Sequence, residues 1–526
     1  MKLTISGKRW SKVDLPNRLY YLESCRNNLL RIAPFWVEEE AHLRGHLATS
    51  QEGAESWLLG PIPVARTIRY LINGVRSGGR PRVPSRRLRV DGRSVTRVFP
   101  YGFHEGLLFF DTEAHVWSIG GQHQGRRYRQ ARDSQPGPAL VLGASNVSSI
   151  LANDVFCKLF CENRPVVCKV PPRFASLKPI FDELFHPLIR DRHVQLCYGG
   201  KELGGELLDL PLFDTVHLTG SLQTYNFLRE NNRYTERTFT AELGCVTPAI
   251  VIPGDWSQGE LLFQARRLAS TMVLNGGYNC VTPQILVVQK QWAYKSAFLR
   301  ALKQELEKHE RRDDLFDGAP AKRHEFRQEY PEHEQFGPRT VVSLDPSRAT
   351  RLFKEEAFCG MLGIVELDSP ETPAFLQDSV RFCNQSLWGD LSCMVLIDPE
   401  TRRRFERETA HALSELEYGT VGVNVFTGLA FASGVTPWGS YLDGKADTGS
   451  GWVHNTFFFD QPEKTVMEGP FMPRLPLPWL KPFPRLAEVG RSLFELEAHP
   501  TAMTMARFLK RFGSTLIDNR KKSTVS

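Results

Sequence analysis

The chain is predicted to be an α/β protein of two parallel-sheet units with a small β arm. Short apolar runs, too brief for helices, alternate with longer segments of helical spacing. The alternation occurs twice, from residue 139 to 220 and again from about 248 to 426. The runs are apolar throughout, as in strands covered by helices on both faces of a parallel sheet.

Residues 1 to about 115 are the least regular part. They contain an Arg-rich stretch (Arg76, Arg80, Arg82, Arg86, Arg87, Arg89), read as a solvated surface, with a phosphate-binding patch as the alternative. RVFPYGFHEGLLFFDTEAHVWSI is dense in aromatic and β-branched residues and reads as strands and turns. QARDSQPG then marks a crossing between substructures. In the first unit Ala139–Ser145, Val166–Val170, His193–Tyr198 and Thr215–Gly220 are strands. Between them lie helices at Ser148–Glu162 and Ser176–Ile189 and near Glu206–Leu208. In the second, the strands are PAIVI, TPQILVVQ, GMLGIVEL, LSCMVLI and TVGVNVF, with helices such as Leu261–Leu274 and Trp292–His309. Arg311–Pro338, charged and broken by prolines, is expected to be an exposed insertion in that unit. Ligands on such sheets sit at the carboxyl ends of the strands, where loops enter helix N-termini.

Composition excludes several classes. With 526 residues, 41% apolar and 24% charged, the chain is an ordinary globular protein long enough for two to four domains. A net charge of +7 without long basic runs is no nucleic-acid footprint. No apolar stretch is long enough to span a membrane, and MKLTISGKRWSKVDLP has no secretory h-region. Ten cysteines with no Cys-x-x-Cys pair point to reduced thiols in a cytoplasmic protein. Cys157, Cys161, Cys168, Cys197 and Cys393 read as small buried hydrophobes.

Several motifs fail on inspection. Gly439-Ser-Tyr-Leu-Asp-Gly444-Lys445 imitates a P-loop, but Ala446 replaces the metal-binding hydroxyl and no strand precedes it. Gly-x-Gly-x-x-Gly, His-Glu-x-x-His, Gly-x-Ser-x-Gly and zinc-ligand spacing are absent, so no metal site is expected.

Four segments stand out together. Asn275-Gly-Gly-Tyr-Asn-Cys280 places a cysteine on a loop between helix and strand, and Glu242-Leu-Gly244 lies 38 residues upstream at a strand end. Leu218-Thr-Gly-Ser221 closes the fourth strand of the first unit, and Glu355-Glu356-Ala-Phe358 precedes a strand of the second. Their order and spacing, with Pro248-Ala-Ile-Val and Val423-Asn424…Pro437-Trp438-Gly439, resemble the aldehyde dehydrogenase superfamily from about residue 139 to 445. The individual pieces are weak signals; five in the right order are a strong one.

The resemblance implies a division of the chain. Residues 1–115 would be a divergent N-terminal part of the cofactor domain and 116–138 a β arm or crossover. Residues 139–244 would form a Rossmann-like NAD(P)-binding domain, 245–436 a catalytic domain with Cys280, and 437–526 a return segment with an oligomerisation strand. It also implies roles. Cys280 would attack an aldehyde as thiolate, and Glu242 would activate water to hydrolyse the resulting thioester. Asn146 would donate to the oxyanion, with helix capping as the competing reading. Lys169 would hold the adenosine ribose, Gly220 and Ser221 the pyrophosphate, and Glu356 and Phe358 the nicotinamide end. Val147 and Trp438, with Ile150 and Phe431, would line a substrate tunnel free of charged side chains, suited to a hydrophobic aldehyde. The cofactor would be NAD or NADP. Pro172 stands where a glutamate would exclude a 2′-phosphate and Arg173 follows it, so NADP is expected to serve at least as well. Strands pairing across subunits would make a homodimer or homotetramer. Cys245 and Cys359–Gly360 depart from the family pattern, and the asparagine motif keeps only Asn146. Two rivals stand beside this reading. One is an acyl-transferring (coenzyme A-type) relative, disfavoured by Glu242; the other is a non-catalytic scaffold, disfavoured by Cys280 with Glu242.

Overall fold

The computed structural model describes residues 3–5, 7–88, 92–120, 124–134, 136–234, 236–441, 448–477, 480 and 482–523. Arg89 of the Arg-rich stretch and residues 442–447 of the P-loop look-alike lie outside them.

The expected α/β architecture is present as two large sheets, beside a two-stranded ribbon of Trp438–Gly439 and Trp452–Val453. The first runs in the order Gly449–Ser450, Thr238–Glu242, Thr215–Thr219, Ala139–Leu142, Val166–Val170, Val194–Tyr198. Its last five strands pair in parallel; Gly449–Ser450 adds antiparallel to Thr238–Glu242. Strand order reverses beside Ala139–Leu142: the next two strands lie to one side of it, the following two to the other. A crevice at the carboxyl ends of the strands opens at such a switch point.

The second sheet has eleven strands, and its centre holds the five predicted ones: Pro248–Val251, Ile285–Gln289, Met361–Leu367, Ser392–Leu396 and Thr420–Val423. Arg339–Leu344 adds a sixth parallel strand that the sequence reading missed. The β arm is not a separate body. Ser94–Phe99 and Glu113–Ser118 pair antiparallel, and Pro462–Glu468 joins Glu113–Ser118 to Thr420–Val423. Pro462–Glu468 therefore has both edges filled by its own chain.

The N-terminal region, read as the least regular part, is a correction. It is helical, with Gly7–Ser11, Leu15–His42, Gln51–Leu59 and Pro61–Arg76. Asp14 caps the long helix through Asn17 N at 3.0 Å, and Ser50 caps the third through Gly53 N at 3.0 Å. Pro61–Arg76 is buried nearly all round, between the Leu15–His42 helix and the C-terminal Leu486–Ala498 helix, so it shows little of the polar face that advertises a surface helix. Arg66 and Arg69 each reach Glu497 at 2.6 Å, tying that C-terminal helix back onto the N-terminal ones.

Residues 311–338, expected to be an exposed insertion, are largely exposed or half-buried. They are nonetheless folded into the Ala319–Glu329 helix and the Glu334–Phe336 strand, with Leu315, Ala319 and Phe326 buried. Arg312 forks onto both oxygens of buried Glu55 at 2.8 and 2.7 Å. Their charge pattern reflects partners elsewhere in the chain.

Candidate active site

The cysteine loop begins where the Gln258–Val273 helix stops. Asn275, Gly276 and Gly277 follow with φ of 55°, 65° and 85°. Three successive left-handed residues are accessible only to glycine and, at modest cost, asparagine. At Gly277 a Cβ would also fall 2.1 Å from the Arg339 guanidinium and 2.8 Å from the Met272 carbonyl oxygen. The turn throws Tyr278–Cys280 out between the two sheets. Asn275 locks it there: its Nδ2 donates to the carbonyls of Asn146 and Tyr278 at 3.2 Å each, and its Oδ1 accepts from Arg44 Nε at 2.8 Å.

Asn146 lies at the mouth of the Ala139–Leu142 strand. It does not cap the following helix, whose N-cap position is Val147 with no side-chain cap bond. Its Nδ2 instead donates to the Tyr278 carbonyl at 3.1 Å, which fixes the amide against the cysteine loop. Arg44, which the sequence reading missed, holds the Asn146 carbonyl at 3.1 Å.

Glu242 ends the Thr238–Glu242 strand, buried, with Oε1 lacking a hydrogen-bond partner among the described residues. Burial raises its carboxyl to about 7, against a smaller opposing pull from the Cys280 thiol it faces. The Cys280 thiol is pushed well above the ordinary range by burial and then by the Glu242 and Glu356 carboxylates. Glu356 is raised by burial and by Glu242, and its sealed Oε1 also has no partner among the described residues. Two buried carboxyl groups, each with one oxygen unpartnered among the described residues, therefore act on one thiol, an arrangement costly for stability and typical of sites built for a ligand. Gly244 (φ 74°) lets Glu356 approach, since a Cβ there would sit 2.8 Å from Glu356 Oε1.

Cys280 lies on the walls of two cavities. One, of about 160 Å³, is lined mainly by apolar side chains, among them Val147, Ile150, Phe431 and Trp438. The Trp438 and Phe431 rings meet edge to face at 5.4 Å. The expectation of no charged residue here is corrected, because Arg66, Asp111 and Arg267 also line it. Arg66 is spent on Glu497, and Arg267 donates to Gln264 Oε1 and the Pro470 carbonyl at 3.0 Å each.

The other cavity is a cleft of about 1350 Å³ at the switch point of the first sheet. Its size exceeds the roughly 300–1,000 Å³ usual for small-molecule sites. It brings together Asn146, Lys169, Arg173, Gly220, Ser221, Glu242, Glu356 and Phe358, every cleft residue the sequence singled out, alongside Cys280. Ser221 caps the Leu222–Glu230 helix through Thr224 N at 3.2 Å, presenting that helix N-terminus to the cleft. Arg173 is anchored, donating to the carbonyls of Leu315 at 2.7 Å and Leu43 at 3.4 Å. Phe358, at φ 50°, packs against Tyr278 at 5.6 Å and Phe316 at 5.7 Å. Phe316, Asp317 and Lys322, all from the 311–338 segment, complete the wall. Lys322 Nζ donates to the Glu356 carbonyl at 2.7 Å and pairs with Glu355 at 2.8 Å. No local pattern marked these residues, because their partners lie far along the chain.

The sequence profile of the Aldehyde dehydrogenase family matches residues 149–321. A putative aldehyde dehydrogenase AldX of Bacillus subtilis (strain 168) is 24% identical over 154 residues, covering 29% of this chain and 34% of that protein. The match thus spans about a third of the curated relative. About a third of the chain, residues 149–321, is thus similar to the aldehyde dehydrogenase family. Solved structures extend the likeness of fold over nearly the whole chain. AldH of Staphylococcus aureus superposes with a TM-score of 0.59 at 16% identity, covering 89% of this chain and 93% of that one. The P. syringae indole-3-acetaldehyde dehydrogenase AldA, solved with NAD+, gives 0.58 at 16%, covering 87% and 85%. The likeness of fold therefore reaches well beyond residues 149–321.

Proposed function

We propose that this chain oxidises an apolar-chain aldehyde to the carboxylate, with Cys280 as nucleophile and Glu242 as general base. The observation that carries this reading is the place of Cys280, on the wall of both an apolar tunnel and a polar cleft, facing Glu242.

The unpartnered Glu356 Oε1 in the cleft suits a pair of ribose hydroxyl donors, and the Leu222–Glu230 N-terminus suits a pyrophosphate. Lys169, Arg173, Gly220, Ser221, Glu356 and Phe358 would hold NAD or NADP, which supplies the two-electron acceptor when bound. Cys280 passes its thiol proton to Glu242, and from there to solvent, as its sulfur adds to the aldehyde carbon to form a thiohemiacetal; the second N–H of the Asn146 amide, whose first is given to the Tyr278 carbonyl, would donate to the developing oxyanion. Oxidation at that carbon leaves a thioester on Cys280. Glu242, with a carboxyl near 7, then takes a proton from water as the oxygen attacks the thioester carbonyl. The carboxylate leaves and the thiol is restored. Ten unpaired cysteines accord with a cytoplasmic setting, and among the described residues no helix is long and apolar enough to cross a membrane.

The test is absorbance at the reduced-nicotinamide band with an aldehyde panel and both dinucleotides. Cofactor binding without turnover of any aldehyde would favour the scaffold reading; turnover requiring coenzyme A would favour the acyl-transferring one. Among accepted aldehydes, kcat/KM is expected to rise with chain length, by about 1 kcal/mol or less per buried methylene. A preference for small charged semialdehydes would overturn this.

NADP is expected to be used at least as well as NAD. No carboxylate stands three residues after Lys169, and Arg173 keeps a cation at the cleft wall. Because Arg173 donates to two carbonyls, it offers only its remaining N–H groups, so Arg173→Ala should raise the KM for NADP more than that for NAD. A wild-type preference for NAD above about tenfold, or an unchanged NADP KM in the variant, refutes this.

A further inference from the structure

Behind the cysteine loop lies another cavity, of about 440 Å³, with no part in the chemistry described so far. Gly276 and Tyr278 of that loop form one wall, and Pro338, Cys359 and Gly360 another. Cations crowd it: Lys308, Arg311, Arg312 and Arg323 all line it. Three of them are matched. Lys308 pairs with Glu305 at 2.5 Å, Arg312 with Glu55 at 2.7 Å and Arg323 with Asp314 at 2.5 Å. Arg311 is exposed and makes no ion pair or hydrogen bond among the described residues. Glu52 and Glu310 also line the cavity, but among the described residues neither pairs with Arg311.

Arg339, the first residue of the Arg339–Leu344 strand, sits beneath the same walls and is only 2% exposed. Its Nε and Nη2 are sealed without a hydrogen-bond partner, and no ion pair reaches it among the described residues. Burial pushes this guanidinium down to about 10, and the Arg311 charge pushes the same way. A buried cation ordinarily has an anion beside it, because desolvating an unpaired charge is costly. The two unpaired guanidiniums converge at the cavity wall. A Cβ on Gly360 would lie 3.9 Å from Arg311 Nη2 and 3.9 Å from Arg339 Nη1. Those nitrogens are therefore at most about 8 Å apart, a gap that one phosphate group spans with a hydrogen bond to each.

We propose that this cavity binds a phosphate group, free or carried on a small metabolite, between Arg311 and Arg339. A tetrahedral dianion suits two guanidiniums arriving from different segments, whereas a planar carboxylate is filled by one fork. The cavity leaves room for an organic remainder. Bound phosphate acts on the cysteine loop by contact. The Arg339 guanidinium packs on Gly277, and the Tyr278 ring stands between this cavity and Phe358 of the cofactor cleft. Pairing Arg339 in place therefore braces the turn that presents Cys280.

Inorganic phosphate, compared with chloride at equal ionic strength, is expected to raise Tm by about 2 °C or more. Hydrogen exchange of the 275–280 amides should slow about threefold or more under the same conditions. Arg311→Ala, on the exposed rim, and Arg339→Met should each lose both effects. Without phosphate, Arg339→Met should be at least as stable as wild type, since it removes a buried charge that lacks a partner. Glycerol 3-phosphate separates the two sources: tighter binding than inorganic phosphate identifies a phosphate monoester, equal or weaker binding the free ion. No rise in wild type, a rise that survives in either variant, or a rise without protection of the loop overturns the proposal. So does an equal rise with succinate, or a phosphate-free Arg339→Met that melts below wild type.

Discussion

Cys280→Ser is expected to abolish aldehyde oxidation while leaving folding and dinucleotide affinity nearly unchanged. The substitution keeps the size of a partly exposed side chain, so packing is little disturbed. It removes a nucleophile for which a hydroxyl, far less acidic at neutral pH, is a poor replacement. Because burial and two carboxylates hold the thiol protonated, wild-type alkylation by iodoacetamide should be slow at neutral pH and accelerate as pH rises. Of the ten cysteines, only Cys161 and Cys280 are partly exposed, so mass spectrometry of the alkylated protein can assign the site. A serine variant retaining more than about a tenth of the wild-type rate would require another nucleophile.

Glu242→Gln should slow turnover by roughly 10² to 10⁴, the usual contribution of a general base. The loss should fall after the oxidation step, so stopped-flow absorbance should still show a first-turnover burst of reduced cofactor. Loss of the burst as well would move Glu242 to an earlier step. Wild-type hydrolysis should rise with pH through about 7 as this carboxyl ionises. Stability should move the opposite way. The folded protein holds the Glu242 proton up to about 7, whereas the unfolded chain releases it near the ordinary glutamate value of 4.5. Stability from this group is therefore complete below about 4.5 and is lost as pH rises toward 7. At pH 8 Glu242→Gln should be the more stable protein by about 3 kcal/mol, and the gain should vanish near pH 4. Equal Tm differences at both pH values would show that the carboxylate is not strained by burial.

What could be read without the structure was local. The strands around Ala139–Leu142 and Ile285–Gln289 announce themselves through apolar runs, and Asn275-Gly-Gly through residues that tolerate left-handed backbone. The cleft and tunnel residues were legible because a strand end, a helix start and a Gly-rich turn each bring their chemistry in a few consecutive positions.

The sequence by itself determined two parallel series of strands and helices, and a cysteine on a loop with a glutamate at a strand end. Tertiary structure alone decided that Pro462–Glu468 completes its own chain's sheet, that residues 311–338 wall the cleft, and that helices from the first 76 residues brace the cysteine loop. The physical reason is range. Periodicity and turn chemistry depend on neighbours within a few residues, whereas Arg44 meeting Asn275, or Arg312 meeting Glu55, pairs groups more than 200 residues apart. Such pairs form only once the hydrophobic burial of both sheets has brought the distant segments together.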